Sequence, residues 1–263
     1  MRPLSVLVLL ALAAGTLPAP RAAARPVCPP AMSPDRIEAV TEDGELVLRT
    51  AGLARLAGVR LPLHAPARAA ALAWLSARRG HAALVQAGPA RDRWDRLPVR
   101  IVLTEGGTRL DVAHGLLESG LALVDPATGD GGCLAEILAI EATARERALG
   151  LWAQDRYKPV AVADTARVRE RIGEFTLVEG RIRSVGERRQ QTYLNFGTDW
   201  ASDFTIILPK RVWSLLQQRG LGAASLRGRR IRARGVVDEW RGPALTVTAA
   251  EAIEVLDGAR PRE

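Results

Sequence analysis

Apolar and polar positions alternate in short runs at residues 37–40, 45–48 and 53–56, separated by Asp43-Gly44 and Ala51-Gly52. A period of two broken at glycine-containing pairs predicts three strands joined by turns. The pattern then lengthens. Residues 67–79 are alanine-rich, follow Pro66 and stop at Gly80, which predicts a helix. Residues 81–86 return to a strand, and 99–104 and 109–112 flank Glu105-Gly106-Gly107, a hairpin signal. A short helical turn is expected at 116–119. Leu134, Ile137, Leu138, Ile140 and Ala144 recur at helical spacing and predict a helix over 133–149, stopped by Gly150. Three strands, a helix, two strands and a helix is the order of a five-stranded barrel of the oligonucleotide-binding (OB) type.

The pattern repeats further on. Residues 155–166 mix Pro, Asp and small residues and read as a linker. Strands are expected at 175–182, 192–197 and 204–208, a helix at 210–219, and strands at 229–237 and 244–248, the last after a Gly242-Pro243 turn. The expected fold class is therefore mainly β with α, an α+β chain of two small OB-type barrels. Their bounds are 25–154 and 167–258, with a tail at 259–263. Phe196 and Phe204 are expected in the second core. Alternation places Arg230, Arg232 and Arg234 on one strand face. With Tyr193, and with Trp240 as an exposed stacker, that face would form a basic groove for single-stranded nucleic acid. The competing reading is a row of solvated arginines around an ordinary core.

Compartment follows from the ends and the cysteines. Met1-Arg2, an apolar run over residues 4–14 and Ala22-Ala23-Ala24 form a secretory signal peptide with cleavage after Ala24. The expected location is periplasmic or secreted, with no membrane anchor in the mature chain, since the run is too short to span a bilayer. The only cysteines are Cys28 and Cys133. An even count in an exported chain favours a disulfide between them. Closing so long a loop contributes on the order of a few kcal/mol in the chain-entropy picture. No Cys/His cluster with zinc spacing occurs.

Charge separates the halves. The formal net charge is +8, and residues 165–263 hold 18 Lys and Arg against 12 Asp and Glu, whereas 25–164 hold 17 of each. A basic C-terminal half suits nucleic acid or another polyanion as partner.

Four ordered motifs carry a family resemblance over roughly residues 37–153. They are the hairpin Asp43-Gly44-Glu45-Leu46 to Leu63, the loop Asp92-Arg93-Trp94-Asp95-Arg96, the run Asp111 to Ala122 with Gly120-Leu121-Ala122, and Glu141-x-x-Ala144-Arg145 with Gly150-Leu151-Trp152. This half resembles the staphylococcal-nuclease-like (thermonuclease) family, and the second half is similar to the extra domain of some exported members. The resemblance implies phosphodiester cleavage with calcium, an ion held by carboxylates.

Carried over residue by residue, the resemblance keeps the frame and loses much of the chemistry. Arg55 and Arg96 stand at the two phosphate-gripping arginine positions, and Glu45 replaces the first metal aspartate. Arg60 stands at the second metal carboxylate, where a cation repels calcium, and Leu63 stands at the general base. Loss of a base alone costs about a hundred- to ten-thousand-fold. Neighbouring His64 is the one substitute base in sight. Two arrangements remain open at this stage. Arg55, Arg60 and Arg96 converge on a phosphate without metal, or Glu45 pairs with Arg60 where the metal would sit. Asp43 serves its turn. The expected protein is a degenerate nuclease homologue, a pseudoenzyme that binds nucleic acid or another polyanion without a cofactor. An active nuclease with a rearranged site, requiring calcium, and a periplasmic protein-interaction module are the alternatives.

Overall fold

The computed structural model describes residues 32–129, 133–199 and 202–257. The expected signal segment, Cys28 and the tail at 259–263 lie outside the described residues. Strands outnumber helices, of which six are α-helical among the described residues, so the chain is mixed α and β as expected.

The first half runs β1 (Ser33–Val40), β2 (Leu46–Leu48), β3 (Gly52–Leu56), β4 (Val59–Arg60), α1 (Ala67–Ser76), β5 (Ala82–Ala87), β6 (Leu97–Glu105), β7 (Thr108–Asp111), α2 (Val112–Glu118), β8 (Leu123–Val124) and α3 (Leu134–Glu146). Sheet order is β3-β2-β1-β5-β6-β7, and β3 also pairs in parallel with β6. That last pairing closes five strands into a barrel compatible with the OB type. The alternating apolar set supplies its filling, with Ile37, Leu46, Leu48, Ala54, Val85 and Ile101 all buried. The expected helical turn at 116–119 starts earlier, because Asp111 caps α2 by accepting from Ala113 N at 3.0 Å and His114 N at 3.2 Å.

Two glycines fix how α3 returns to the barrel. Gly120 (φ 63°) and Gly150 (φ 52°) lie back to back in the left-handed region. Leu151 N donates to Gly120 O at 2.8 Å. A Cβ on Gly150 would meet Gly120 O at 2.2 Å, and one on Gly120 would meet Leu149 O at 2.2 Å, so only glycine fits at either position.

The second half runs β9 (Val160–Ala161), α4 (Thr165–Arg169), β10 (Phe175–Arg181), β11 (Ser184–Glu187), β12 (Gln191–Asn195), β13 (Thr205–Pro209), α5 (Lys210–Gln218), α6 (Ala223–Leu226), β14 (Arg230–Glu239), β15 (Pro243–Thr246) and β16 (Ile253–Val255). The sheet order is β11-β12-β13-β15-β14-β10-β9, with β16 also on β14. Phe204 is buried, and Phe196 is partly buried against it at 5.7 Å between ring centroids. The connector at 155–166 is not the slack linker its composition suggests. Tyr157, Val160 and Val162 are buried, and β9 pairs in parallel with β10, because three apolar side chains outweigh the turn-forming residues around them.

The halves share a core. Leu177 of β10 packs in one buried cluster with Ala67, Leu123, Ala144, Leu151 and Trp152 of the first half. Beside it, Arg234 of β14 is 1% exposed and Glu141 of α3 is fully buried. Arg234 Nη1 donates to Glu141 Oε2 at 2.7 Å and to Val124 O at 3.3 Å, and its Nη2 donates to Glu254 Oε1 at 2.5 Å. Glu141 Oε1 in turn accepts from Val124 N at 2.7 Å. Burial pulls the Arg234 guanidinium down, but Glu141 and then Glu254 more than offset it, and its pKa lies above the ordinary value.

Removing one partner of such a pair strands a buried charge. Arg234→Met is expected to cost about 3–5 kcal/mol. That corresponds to a fall in Tm of about 6–20 °C for a chain of this size, read by thermal denaturation. Pairing Arg234→Met with Glu141→Gln should recover part of the loss, since the fully buried carboxylate is then no longer left charged without Arg234.

Candidate functional site

Barrel closure brings Arg55 and Arg96 together. Ala54 and Leu56 point into the barrel, so Arg55 between them points out. The parallel register sets Ala54 against Leu97 and Arg55 against Pro98. Arg96, one residue ahead of β6, therefore emerges beside Arg55. Glu45 reaches the same place from the turn into β2, where Thr41 Oγ1 accepts from its backbone N–H at 3.0 Å.

Asp92 holds this group. Its Oδ1 accepts from Trp94 N at 3.0 Å and Arg96 N at 3.1 Å, which folds residues 91–96 into a tight loop. Its Oδ2 accepts from Arg96 Nη2 at 2.8 Å, Arg96 Nε at 3.0 Å and Arg55 Nε at 3.2 Å. Arg96 Nη1 donates to Glu45 Oε1 at 3.0 Å. The hydrogen bond from Arg96, aided by its backbone N–H and that of Trp94, holds the Asp92 carboxyl well below the usual carboxylate range. Arg96 is raised in return, by Asp92 first and then Glu45. Two guanidiniums and two carboxylates thus form a cluster with no net charge. Exposed Trp94 covers one side, its ring 4.5 Å from the Arg96 guanidinium and 3.9 Å from that of Arg93.

Arg60 lies elsewhere, so neither arrangement open to the sequence is found. On β4, which pairs with β8, Arg60 donates to Asp125 Oδ2 through Nε at 3.0 Å and Nη2 at 2.8 Å. Its guanidinium lies 4.8 Å from the ring centre of Phe175 on β10. Glu45, which the second of those arrangements would pair with Arg60, pairs instead with Arg96, which the loop at 91–96 brings beside it. Leu63 is 61% exposed, and His64 does have an orienting partner, Glu174 Oε1 at 3.0 Å from Nε2. Glu174 also pairs with Arg156 at 3.4 Å and Arg171 at 3.7 Å. The end of the hairpin at Leu63 and His64 is thus tied to the start of the second half.

The arginine row on β14 does share one face, and that face is occupied. Arg230 and Arg232 both pair with Glu179 of β10, at 2.7 and 2.6 Å. Arg232 also meets Glu254 at 3.5 Å. Buried Arg234 presents nothing to a ligand, because the first half covers it. Tyr193 and Trp240 are brought together. Their rings stack at 5.7 Å with 14° between planes, and Trp240 is 44% exposed.

Among the described residues no group of three or more His, Cys, Asp or Glu could hold a metal ion. Cys133 is disulfide-bonded, and the chain's other cysteine is Cys28, outside the described residues. No helix among the described residues is long and apolar enough to cross a membrane. A scan against models of known protein families finds no match. A search of the curated proteins finds none similar to the chain.

The residue that sequence reasoning passed over is Asp92. It stood inside the Asp92-x-x-x-Arg96 loop motif but received no role of its own, and its i, i+4 spacing to Arg96 was the available signal. Asp92 should titrate far below 3.8, its ordinary value, in a carboxyl carbon NMR titration. A depressed carboxyl contributes stability above its unfolded pKa and loses it as pH falls through the folded one. Its share of stability should therefore be complete at neutral pH and fade only in strong acid.

Proposed function

We propose that this chain is a catalytically silent thermonuclease-like protein that binds a polyanion, with nucleic acid the ligand class its chemistry suits best. One observation carries the reading. Of the positions that the family resemblance assigns to phosphate and metal, Arg55, Arg96 and Glu45 are spent within the protein, held with Asp92 in a neutral cluster. Phosphodiester cleavage needs cationic charge free to meet the phosphate and a base to activate water. Here the free charge is neutralised within the protein, and Leu63 at the base position cannot take a proton.

The second sheet supports the ligand half of the proposal. We take it for a second barrel of the same design. Only Ile182 and Arg183 separate β10 from β11, so as one bent strand these would link β14 to β12. The pairings would then repeat those of the first barrel, with β13 parallel to β15 as β3 is to β6. The basic surplus of this half provides long-range attraction for a polyanion. The signal-peptide reading would place the protein in the periplasm or outside the cell.

One observation favours a second reading, an active phosphodiesterase. Glu174 orients His64 as a base would require. The same Glu174 belongs to the contact between halves, and Asp92 withholds both arginines, so the silent reading is preferred.

The test uses purified mature protein with single- and double-stranded DNA, in calcium and in chelator. Expected are no cleavage above the buffer control in either condition, and binding whose log affinity falls linearly with log salt. Chelator-sensitive cleavage abolished by Arg96→Ala would overturn the proposal. Absence of salt-dependent binding to any nucleic acid would instead favour a protein-interaction module.

A further inference from the structure

Several arginines of the second half are matched to carboxylates, as Arg230, Arg232 and Arg234 are. One edge of its sheet gathers arginines that are not. The hairpin between β11 and β12 closes with Arg188 N donating to Gln191 O at 2.9 Å, and its tip carries exposed Arg188 and Arg189. Among the described residues neither is in an ion pair, and nor is exposed Arg183 just ahead of β11. The one acid of the hairpin, Glu187, is engaged elsewhere, accepting from Trp213 Nε1 at 2.9 Å and lying 3.8 Å from Lys210.

The Tyr193–Trp240 stack adjoins this tip. Tyr193 lies three residues from Gln190, about 10 Å along the strand at ~3.4 Å per residue. Leu194 and Thr192 are buried, so Tyr193 faces outward, where its hydroxyl donates to Gln191 Oε1 at 3.0 Å. Directly across on β11 is Gly186, so no side chain stands opposite Tyr193 on that strand. A Cβ there would meet nothing closer than 3.9 Å. Trp240 caps the pair from the turn between β14 and β15, held by its N–H donating to Gly242 O at 2.8 Å. The two acids before it are engaged within the chain. Glu239 pairs with Arg169 at 3.1 Å, and Asp238 Oδ1 accepts from the backbone N–H of Glu239 at 2.8 Å.

An outward stacked pair with a half-exposed indole, an open strand beside it and unmatched guanidiniums at one end combine two requirements. One face of the indole lies against Tyr193 and the Arg241 guanidinium sits 5.5 Å from its ring centre, so an unpaired base would stack on the exposed indole in place of that guanidinium, and the hairpin arginines would meet the phosphates that follow. A duplex keeps its bases stacked inside and cannot use the rings. We infer that this face binds single-stranded nucleic acid, with a base stacking on Trp240 and its backbone running toward Arg188 and Arg189. The inference rests on the polyanion-binding reading above and names its ligand and its place.

The experiment measures fluorescence anisotropy of the full mature chain with a labelled oligothymidylate, a duplex of equal length and heparin as a polyanion without bases. The mature protein should bind the single strand more tightly than the duplex, with quenching of tryptophan emission. Trp240→Ala should weaken oligothymidylate binding about tenfold or more while leaving heparin binding within about twofold, as loss of one stacked base implies. Trp240→Phe should restore most of the affinity, which a mere folding defect would not allow. Arg188→Ala with Arg189→Ala should weaken all three ligands and flatten the single-strand salt slope by about 1.4, two contacts at ~0.7 each. Equal binding of the three ligands, unchanged by Trp240→Ala, would overturn this inference and leave polyanion binding standing. Binding to none of them would overturn both.

Discussion

The buried ion pair between Arg234 and Glu141 is the constraint on which the arrangement of this molecule depends. It crosses from the second sheet to the last helix of the first barrel, in a place with no water to share the charge. Glu141 also takes the backbone N–H of Val124, so β8 is set by the same carboxylate. β8 pairs with β4, and β4 carries Arg60. The position where the family resemblance expects a metal carboxylate is therefore placed by a contact between the two halves. The pair also begins a run of alternating charges, Arg145, Glu141, Arg234, Glu254, Arg232, Glu179 and Arg230, that passes from the interior to the surface. The inner members are costly to desolvate and are retained only because each is matched. Arg145 shows the cost, its pKa lowered by burial and then by the neighbouring Arg232.

The same accounting separates the two candidate surfaces. At the first site Arg55, Arg96, Asp92 and Glu45 have found opposite partners within the chain, and a ligand phosphate would have to compete with Asp92 for both guanidiniums. At the hairpin between β11 and β12 the guanidiniums have no such competitor. A protein can keep the outline of a phosphate site and lose its use by adding one well-placed acceptor. It can gain a new one by leaving a few arginines unmatched beside an aromatic face.

Much of the fold was legible in the sequence. Period-two runs with glycine breaks located the strands of the first barrel, and the helical spacing from Leu134 to Ala144 located α3. The connector was misread because Pro159, Asp155 and Asp164 mark turns locally, whereas Tyr157, Val160 and Val162 are spaced to be buried only once a partner sheet exists. The arginine row was placed on one face, but alternation cannot tell solvent from another domain, so Arg234 was read as accessible. Pairings of distant residues, Glu45 with Arg96 or Arg60 with Asp125, were out of reach, since they depend on which loops the fold brings to a shared point. The Tyr193–Trp240 stack lay between these cases. Both residues were named, but only the turn at Gly242 brings their rings together.

The closeness of Gly120 and Gly150 bears on the ancestry of the chain. Two backbones touching without side chains between them tolerate no replacement at either position, and neither glycine can change first. Such a pair answers to the geometry of the helix return and not to any substrate. Descent would be more faithfully recorded in such silent contacts than in side chains that face solvent.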